Sequence, residues 1–276
     1  MSRFRITAWP GVPVPVPPVL PMTVEVIADE FLYYGDPLPE RELPDEFVLR
    51  ELFDPDPTDP DELASFTQTW GLLTSLTQDP LAFLPPGETA TGLAHRTRQL
   101  VDETATSLNL HPSYLVTLEA VSTHVRTLRA MTHQWIASRR GHDAANLLEA
   151  WTNEGFTQPR NEADAWRRWE DHLNSALRPF QTNVRVAVEG SERIGAWGTV
   201  GPNTYAVMAL QLANLVAEHA ELTVCANENC GRIFSRQRGR SEYGQHHTRG
   251  VMYCSSSCAR AQAQRAYRRR KREEQT

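Results

Sequence analysis

The sequence predicts a mainly helical protein with a small β element, an α+β chain in which a helical N-terminal part precedes a compact four-cysteine unit ending in a basic helix. Three observations lead to this reading. Residues 63–180 place apolar side chains at helical spacing, and residues 184–200 switch to strand-like alternation. All four cysteines lie in the last 52 of the 276 residues.

Size and composition set the frame. A chain of 276 residues, 40% apolar and 22% charged, has the material for one or two domains with a true core, and it is not a wholly disordered chain. No apolar stretch approaches the roughly 20 residues that a membrane-spanning helix needs. Met1-Ser2-Arg3-Phe4-Arg5 is followed by prolines instead of an apolar signal core, so the expectation is a cytoplasmic protein with no membrane partner. Composition divides the chain into a Pro-rich, acidic arm at 1–62, a helical sensor or interaction domain at 63–222 and a C-terminal unit at 223–276.

The first 62 residues hold 12 of the 19 prolines. The Val-Pro alternation from Val12 to Val19 favours extended or polyproline II backbone, either as a docked arm or as a ligand for a proline-binding domain. Short alternating runs at Phe4–Trp9 and Thr23–Ile27 read as strands. From Asp29 to Glu62 there are 13 acids, with Asp-Pro steps at 36, 54, 56 and 59 that forbid a long helix. A helix is expected after Asp61, through Leu63, Phe66, Trp70, Leu73 and Leu76. A second covers Thr91–Leu108. The longest runs Pro112–Ser138 on a stripe of Leu115, Leu118, Val121, Val125, Leu128, Met131 and Trp135. Asn161 caps another over Glu162–Leu177. Val184–Val188 and Ile194–Val200 read as a β-hairpin, and Tyr205–Leu222 as an apolar helix feeding the first cysteine.

Net charge is −6, but that figure averages two unlike parts. Residues 1–224 hold 16 basic and 30 acidic residues, for −14; residues 225–276 hold 12 and 4, for +8. Such asymmetry points to a nucleic-acid partner for the tail, against the alternative of a solubilising tail. The acidic 29–62 segment is expected to lie against it.

The cysteines read Cys225-x4-Cys230-x23-Cys254-x3-Cys258. Two close pairs in an intracellular chain point to a metal site more than to disulfides or a redox set. Four thiolates make a closed tetrahedral shell for structural Zn²⁺, with no open position for catalysis. The expected architecture is a treble-clef or ribbon-like zinc finger. Asn227-Glu228-Asn229 and Gly231 supply its turn, and Ser255 caps the helix whose positive end favours a bound thiolate. His246 and His247 lie between the pairs as phosphate-side or solvent residues.

Arg236, Arg238 and Arg240 also lie between the pairs. After Cys258 comes Ala259-Arg260-Ala261-Gln262-Ala263-Gln264-Arg265-Ala266-Tyr267-Arg268-Arg269-Arg270-Lys271-Arg272, a helix-forming sequence. Helical spacing groups Arg265, Arg268, Arg269 and Arg272 on one face. With Arg236, Arg238, Arg240, Arg260 and Lys271 these form the expected nucleic-acid contacts, duplex DNA before RNA, with Gln262 and Gln264 near base edges.

The segment from about Leu210 to Arg272 resembles the CGNR-type zinc finger proteins. The resemblance rests on the apolar helix before Cys225-Ala226-Asn227, on Cys230, Phe234, the arginine-rich loop, Tyr253-Cys254-Ser255 and Cys258, and on Arg265-Ala266-Tyr267-Arg268-Arg269. It covers about a quarter of the chain. The family's Cys-Gly-Asn-Arg signature reads Cys258-Ala259-Arg260 here. The resemblance implies four zinc-binding cysteines and a stress-linked bacterial transcription regulator that binds DNA.

No dinucleotide-binding loop, phosphate loop, nucleophile elbow or His-Glu-x-x-His motif occurs, so no enzymatic activity is expected. His124 and His133 lie inside the long helix and read as core or surface histidines instead of catalytic ones. The seven Trp read mainly as core, while Trp-rich helices leave room for a small-molecule effector or a protein partner. The competing function class is a protein-interaction adaptor in which the metal unit only stabilises the fold.

Overall fold

The computed structural model describes residues 14–44, 46–73, 90–110, 114–141, 144–180, 183–189, 192–198, 203–218, 221–236 and 252–273. The protein is mainly helical with small antiparallel sheets. Among the described residues no helix is long and apolar enough to cross a membrane.

The chain enters as an extended proline-rich strand. Asn214 grips Val14 at both main-chain groups: Val14 N–H donates to Asn214 Oδ1 at 2.9 Å, and Asn214 Nδ2 donates to Val14 O at 2.7 Å. From Val14 onward the run is docked, with Val19 buried and bridged to Arg41. Strands β1 (Met22–Ile27) and β2 (Phe31–Pro37) form a hairpin, and β3 (Leu115–Thr117) joins β2 on its other side. Successive side chains of a strand face opposite ways. On β2, Leu32 and Tyr34 therefore enter the main core, while Phe31 packs with Val101, Ala105 and Leu115 in a second cluster.

The acidic segment is not an arm. Two 3-10 turns, Phe47–Leu49 and Glu51–Phe53, bury Phe47, Val48, Leu49 and Leu52 in the main core. Glu40, Glu42, Asp54, Asp56, Asp61 and Glu62 are exposed around these inward-pointing apolar residues, while Glu46 and Glu51 are partly buried, a division that a count of charges does not reveal. Residues 22–53 thus belong to the same folded body as the helices.

Helix α1 (Pro60–Trp70) starts where Asp59 Oδ1 accepts from the amides of Asp61 and Glu62, and it stops at Gly71, short of the expected Leu76. Gly71 adopts φ +93°, where a Cβ would strike the carbonyl of Leu20. Helix α2 spans Ala90–Leu108. Helix α3 (Leu118–Arg139) begins six residues later than the sequence suggests, because Leu115–Thr117 pairs with Phe31–Tyr33 and the Thr117 hydroxyl caps the helix. Helices α4 (Ala144–Thr152) and α5 (Glu162–Ala176, capped by Asn161) pack beside it. Strands β4 (Asn183–Glu189) and β5 (Glu192–Gly198) form the expected hairpin. Helix α6 (Thr204–Ala217) is buried on nearly every side.

Helix α3 is the hub. Trp151 Nε1 donates to Gln134 Oε1 at 2.6 Å, and Trp169 Nε1 donates to Met131 O at 3.0 Å. Arg129 reaches the carbonyls of Leu52 and Pro55, pinning the second 3-10 turn. His124 is buried, with Nδ1 2.7 Å from Ala120 O and its ring edge-on to Tyr205. His133 stacks on Phe53. Both are packing residues in this fold.

Candidate metal centre

Helix α6 does not feed the first cysteine directly. Strand β6 (Glu221–Val224) intervenes and pairs with β7 (Ile233–Arg236), Val224 opposite Ile233. The β-branched Thr223 and Val224 suit a strand, and the ladder ends the helical pattern before Leu222. Leu222 and Ile233 lean on the main core, which fixes the hairpin to the helical body.

The hairpin tip carries the first cysteine pair. Cys225 N–H donates to Arg232 O at 2.8 Å, and Cys230 N–H donates to Asn227 O at 2.8 Å. Asn229 N–H donates to Asn227 Oδ1 at 3.1 Å, and Gly231 takes the expected left-handed φ of +61°. These bonds fold residues 225–232 into a tight knuckle. The second pair arrives beside it: Ala226 N–H donates to Met252 O at 2.8 Å, and Cys254 N–H donates to Cys225 Sγ at 3.4 Å. Helix α7 (Ser256–Glu273) then begins, with Ser255 Oγ accepting from Cys258 N–H at 3.2 Å, so Cys258 sits in its first turn.

The four Sγ atoms lie within 4.8 Å of one another, and no cysteine is in a disulfide. Cys230 and Cys254 Sγ are 3.6 Å apart, Cys254 and Cys258 Sγ 3.5 Å. A tetrahedral ion with sulfur bonds near 2.3 Å requires sulfur–sulfur distances of about 3.8 Å. The cluster fits one ion with only slight adjustment, and the four cysteines could hold a metal.

Electrostatics favour thiolates at part of the cluster. The Ser255 hydroxyl and the Cys254 thiol hold Cys258 down at about 6. Burial opposes ionisation of Cys225, but the amides of Cys254 and Asn227 outweigh it and keep that thiol below its usual range. Burial and the neighbouring sulfurs push Cys254 up to about 12. Four sulfurs this close resist sharing four negative charges without a cation between them.

Helix α7 has two unlike faces. At 3.6 residues per turn, Cys258, Gln262, Arg265 and Arg269 share one stripe. Arg269 forks onto Glu228 at 2.7 and 2.8 Å, Gln262 Nε2 donates to Glu228 Oε1 at 3.0 Å, and Arg265 donates to Asn227 Oδ1 and to Gln262 Oε1. Arg269 and Gln262 hold the Glu228 carboxyl below its usual range. This stripe clamps the helix to the knuckle. The opposite stripe, Arg260, Gln264, Tyr267 and Lys271, is exposed, with Arg268 on its flank.

The expected site residues therefore separate. The four cysteines come together. Arg265, Arg269 and Gln262, expected at phosphates and base edges, are engaged by the knuckle. Arg260, Arg268, Lys271 and Arg272 are exposed on α7. Arg236 ends β7, while Arg238, Arg240, His246 and His247 lie outside the described residues. Asn227 and Glu228, expected only as turn formers, hold the helix. The sequence carried a signal for this: Gln262, Arg265 and Arg269 fall at i+4, i+7 and i+11 from Cys258, so they must share its face. The acidic segment meets this region through a cation, Arg50, whose Nη2 donates to Cys254 O at 3.1 Å.

No family model matches the chain, and neither does any curated protein or solved structure.

Proposed function

We propose that the chain is a zinc-dependent nucleic-acid-binding protein, a regulator of transcription that binds duplex DNA through its C-terminal unit. The observation that carries this reading is the four-sulfur cluster at the head of a helix bearing exposed cations. The hairpin with one cysteine pair, followed by a helix whose first turn carries the last cysteine, has the layout of a treble-clef-like finger. Zinc suits four thiolates because it accepts a tetrahedral all-sulfur shell, and that shell makes its role structural. Cys225, Cys230, Cys254 and Cys258 hold the ion, and the remaining residues act on the partner without catalysis. The helical body serves as a sensor or interaction domain for a small molecule or a protein.

A second reading has its own support. Leu222 and Ile233 pack on the core and Arg50 bonds to Cys254 O, as in an adaptor whose metal only joins the tail to the body. Fluorescence anisotropy with labelled duplex DNA between 50 and 200 mM salt decides between them. Nucleic-acid binding predicts a steep, linear fall of log K with log salt, roughly 0.9 per phosphate neutralised. Absence of binding to duplex DNA or RNA at low salt favours the adaptor.

A further inference from the structure

We infer that the outer stripe of α7, Arg260–Gln264–Tyr267–Lys271 with Arg268, is a reading surface for the major groove of duplex DNA. This inference rests on the nucleic-acid reading above and names the face that does the work, which is not the face with the densest arginines.

The inner stripe is already committed. Cys258 belongs to the sulfur cluster, and Gln262, Arg265 and Arg269 are bonded to Asn227, Glu228 or one another. The charge of Arg269 is met by a carboxylate on the knuckle. That pairing offsets part of the charge that Arg269 would offer a phosphate.

Among the described residues no hydrogen bond or ion pair reaches the side chains of the outer stripe, and the stripe contains no acid. Arg260, Gln264, Tyr267, Arg268 and Lys271 are exposed, and Tyr267 shows 59% of its surface. A large aromatic side chain held in solvent between cations is poorly explained by folding. From Arg260 to Lys271 the helix advances about 16 Å at 1.5 Å per residue. The major groove is about 12 Å wide between its phosphate ridges. A helix laid in it puts Arg260 toward one ridge and Arg268 and Lys271 toward the other. Gln264 and Tyr267, between them, then face base edges. Gln is suited to the paired donor and acceptor of adenine, and an aromatic ring to the thymine methyl. The metal centre and the Glu228 clamp hold the helix beforehand, so little ordering remains to oppose binding.

The test uses the full zinc-loaded chain and anisotropy with labelled duplex DNA, and with single-stranded RNA of the same sequence. The triple variant Arg260→Gln, Arg268→Gln, Lys271→Gln should bind duplex DNA at least about tenfold more weakly, with a salt slope reduced by about 2–3, while zinc content and helical circular dichroism are unchanged. The pair Gln264→Ala, Tyr267→Ala should keep the salt slope and lose preference among duplexes of different sequence. A triple variant that binds like the parent overturns the assignment while leaving nucleic-acid binding intact. Tighter binding of single-stranded RNA than of duplex DNA by the parent also overturns it. A parent that binds neither at low salt removes the underlying reading, and this inference with it.

Discussion

Arg50 Nη2 and the main-chain oxygen of Cys254 are joined by a 3.1 Å hydrogen bond that links the second 3-10 turn of the helical body to the cysteine cluster. Glu46 pairs with the same guanidinium and aims it. The metal-site segment is therefore held by the body as well as by its own sulfurs. Replacing Arg50 with Met removes the bond and keeps most of the side-chain volume. Zinc release to a chelator should accelerate by about tenfold or more, as expected for loss of one charge-assisted bond of about 1.5–3 kcal/mol. Absorbance of a zinc-sensitive dye reads the rate, and an unchanged rate means the contact does not support the cluster.

Glu228 and Arg269 give a second test. Arg269 Nη2 bonds to both Glu228 oxygens and fixes α7 against the knuckle, and helices in proteins draw most of their stability from such tertiary contacts. Glu228→Ala should speed amide hydrogen exchange along α7 from Gln262 onward and leave α3 unchanged. Equal protection in parent and variant would mean that the cysteine cluster alone orders the helix.

Trp151 tests the core. It is fully buried, and its indole N–H is satisfied by Gln134. Trp151→Ala should destabilise the body by about 3–5 kcal/mol. Gln134→Leu, which leaves the indole unpaired, should cost about 1–3 kcal/mol. Urea unfolding monitored by far-ultraviolet circular dichroism measures both. A cost for Gln134→Leu above that for Trp151→Ala would contradict this packing.

Two histidines set an acid limit. Burial pushes His124 down to about 3, and burial together with Arg168 pushes His172 down to about 4. An unfolded imidazole titrates near 6.5. Below that pH the unfolded chain binds more protons than the folded one, so stability falls as pH drops from about 6.5 toward 4, by up to about 1.4 kcal/mol per pH unit for each histidine. His124→Gln should make the decline between pH 6 and pH 5 shallower by about 1 kcal/mol in urea titrations. The comparison with the parent cancels acid effects at the cysteines. Parallel curves for the two proteins would rule out a neutral, buried His124.

Much of this organisation is legible in the sequence where it depends on near neighbours. The cysteine spacing, the left-handed Gly231, the Ser255 cap and the Asn161 cap are local, and each stands as expected. What depended on distant partners was hidden. Leu115–Thr117 fits a helical stripe, yet its ladder partner lies more than 80 residues away at Phe31–Tyr33. The apolar residues of 31–53 were masked by 13 acids in the surrounding segment. Helix α4 is not among the elements expected, and it is held by Trp151 bonding to α3. On α7 helical spacing groups Arg265, Arg268, Arg269 and Arg272, but it does not say which face the knuckle takes up; that is set by where Cys258 points, and it engages Arg265 and Arg269.

Native mass spectrometry of the full chain, purified without added metal or chelator, tests the central claim most directly. The expected result is one zinc ion per chain, retained at neutral pH, removed by a strong chelator, and absent from the Cys254→Ser, Cys258→Ser variant. A chain that carries no zinc, or a double variant that keeps it at full occupancy, would contradict a metal held by Cys225, Cys230, Cys254 and Cys258.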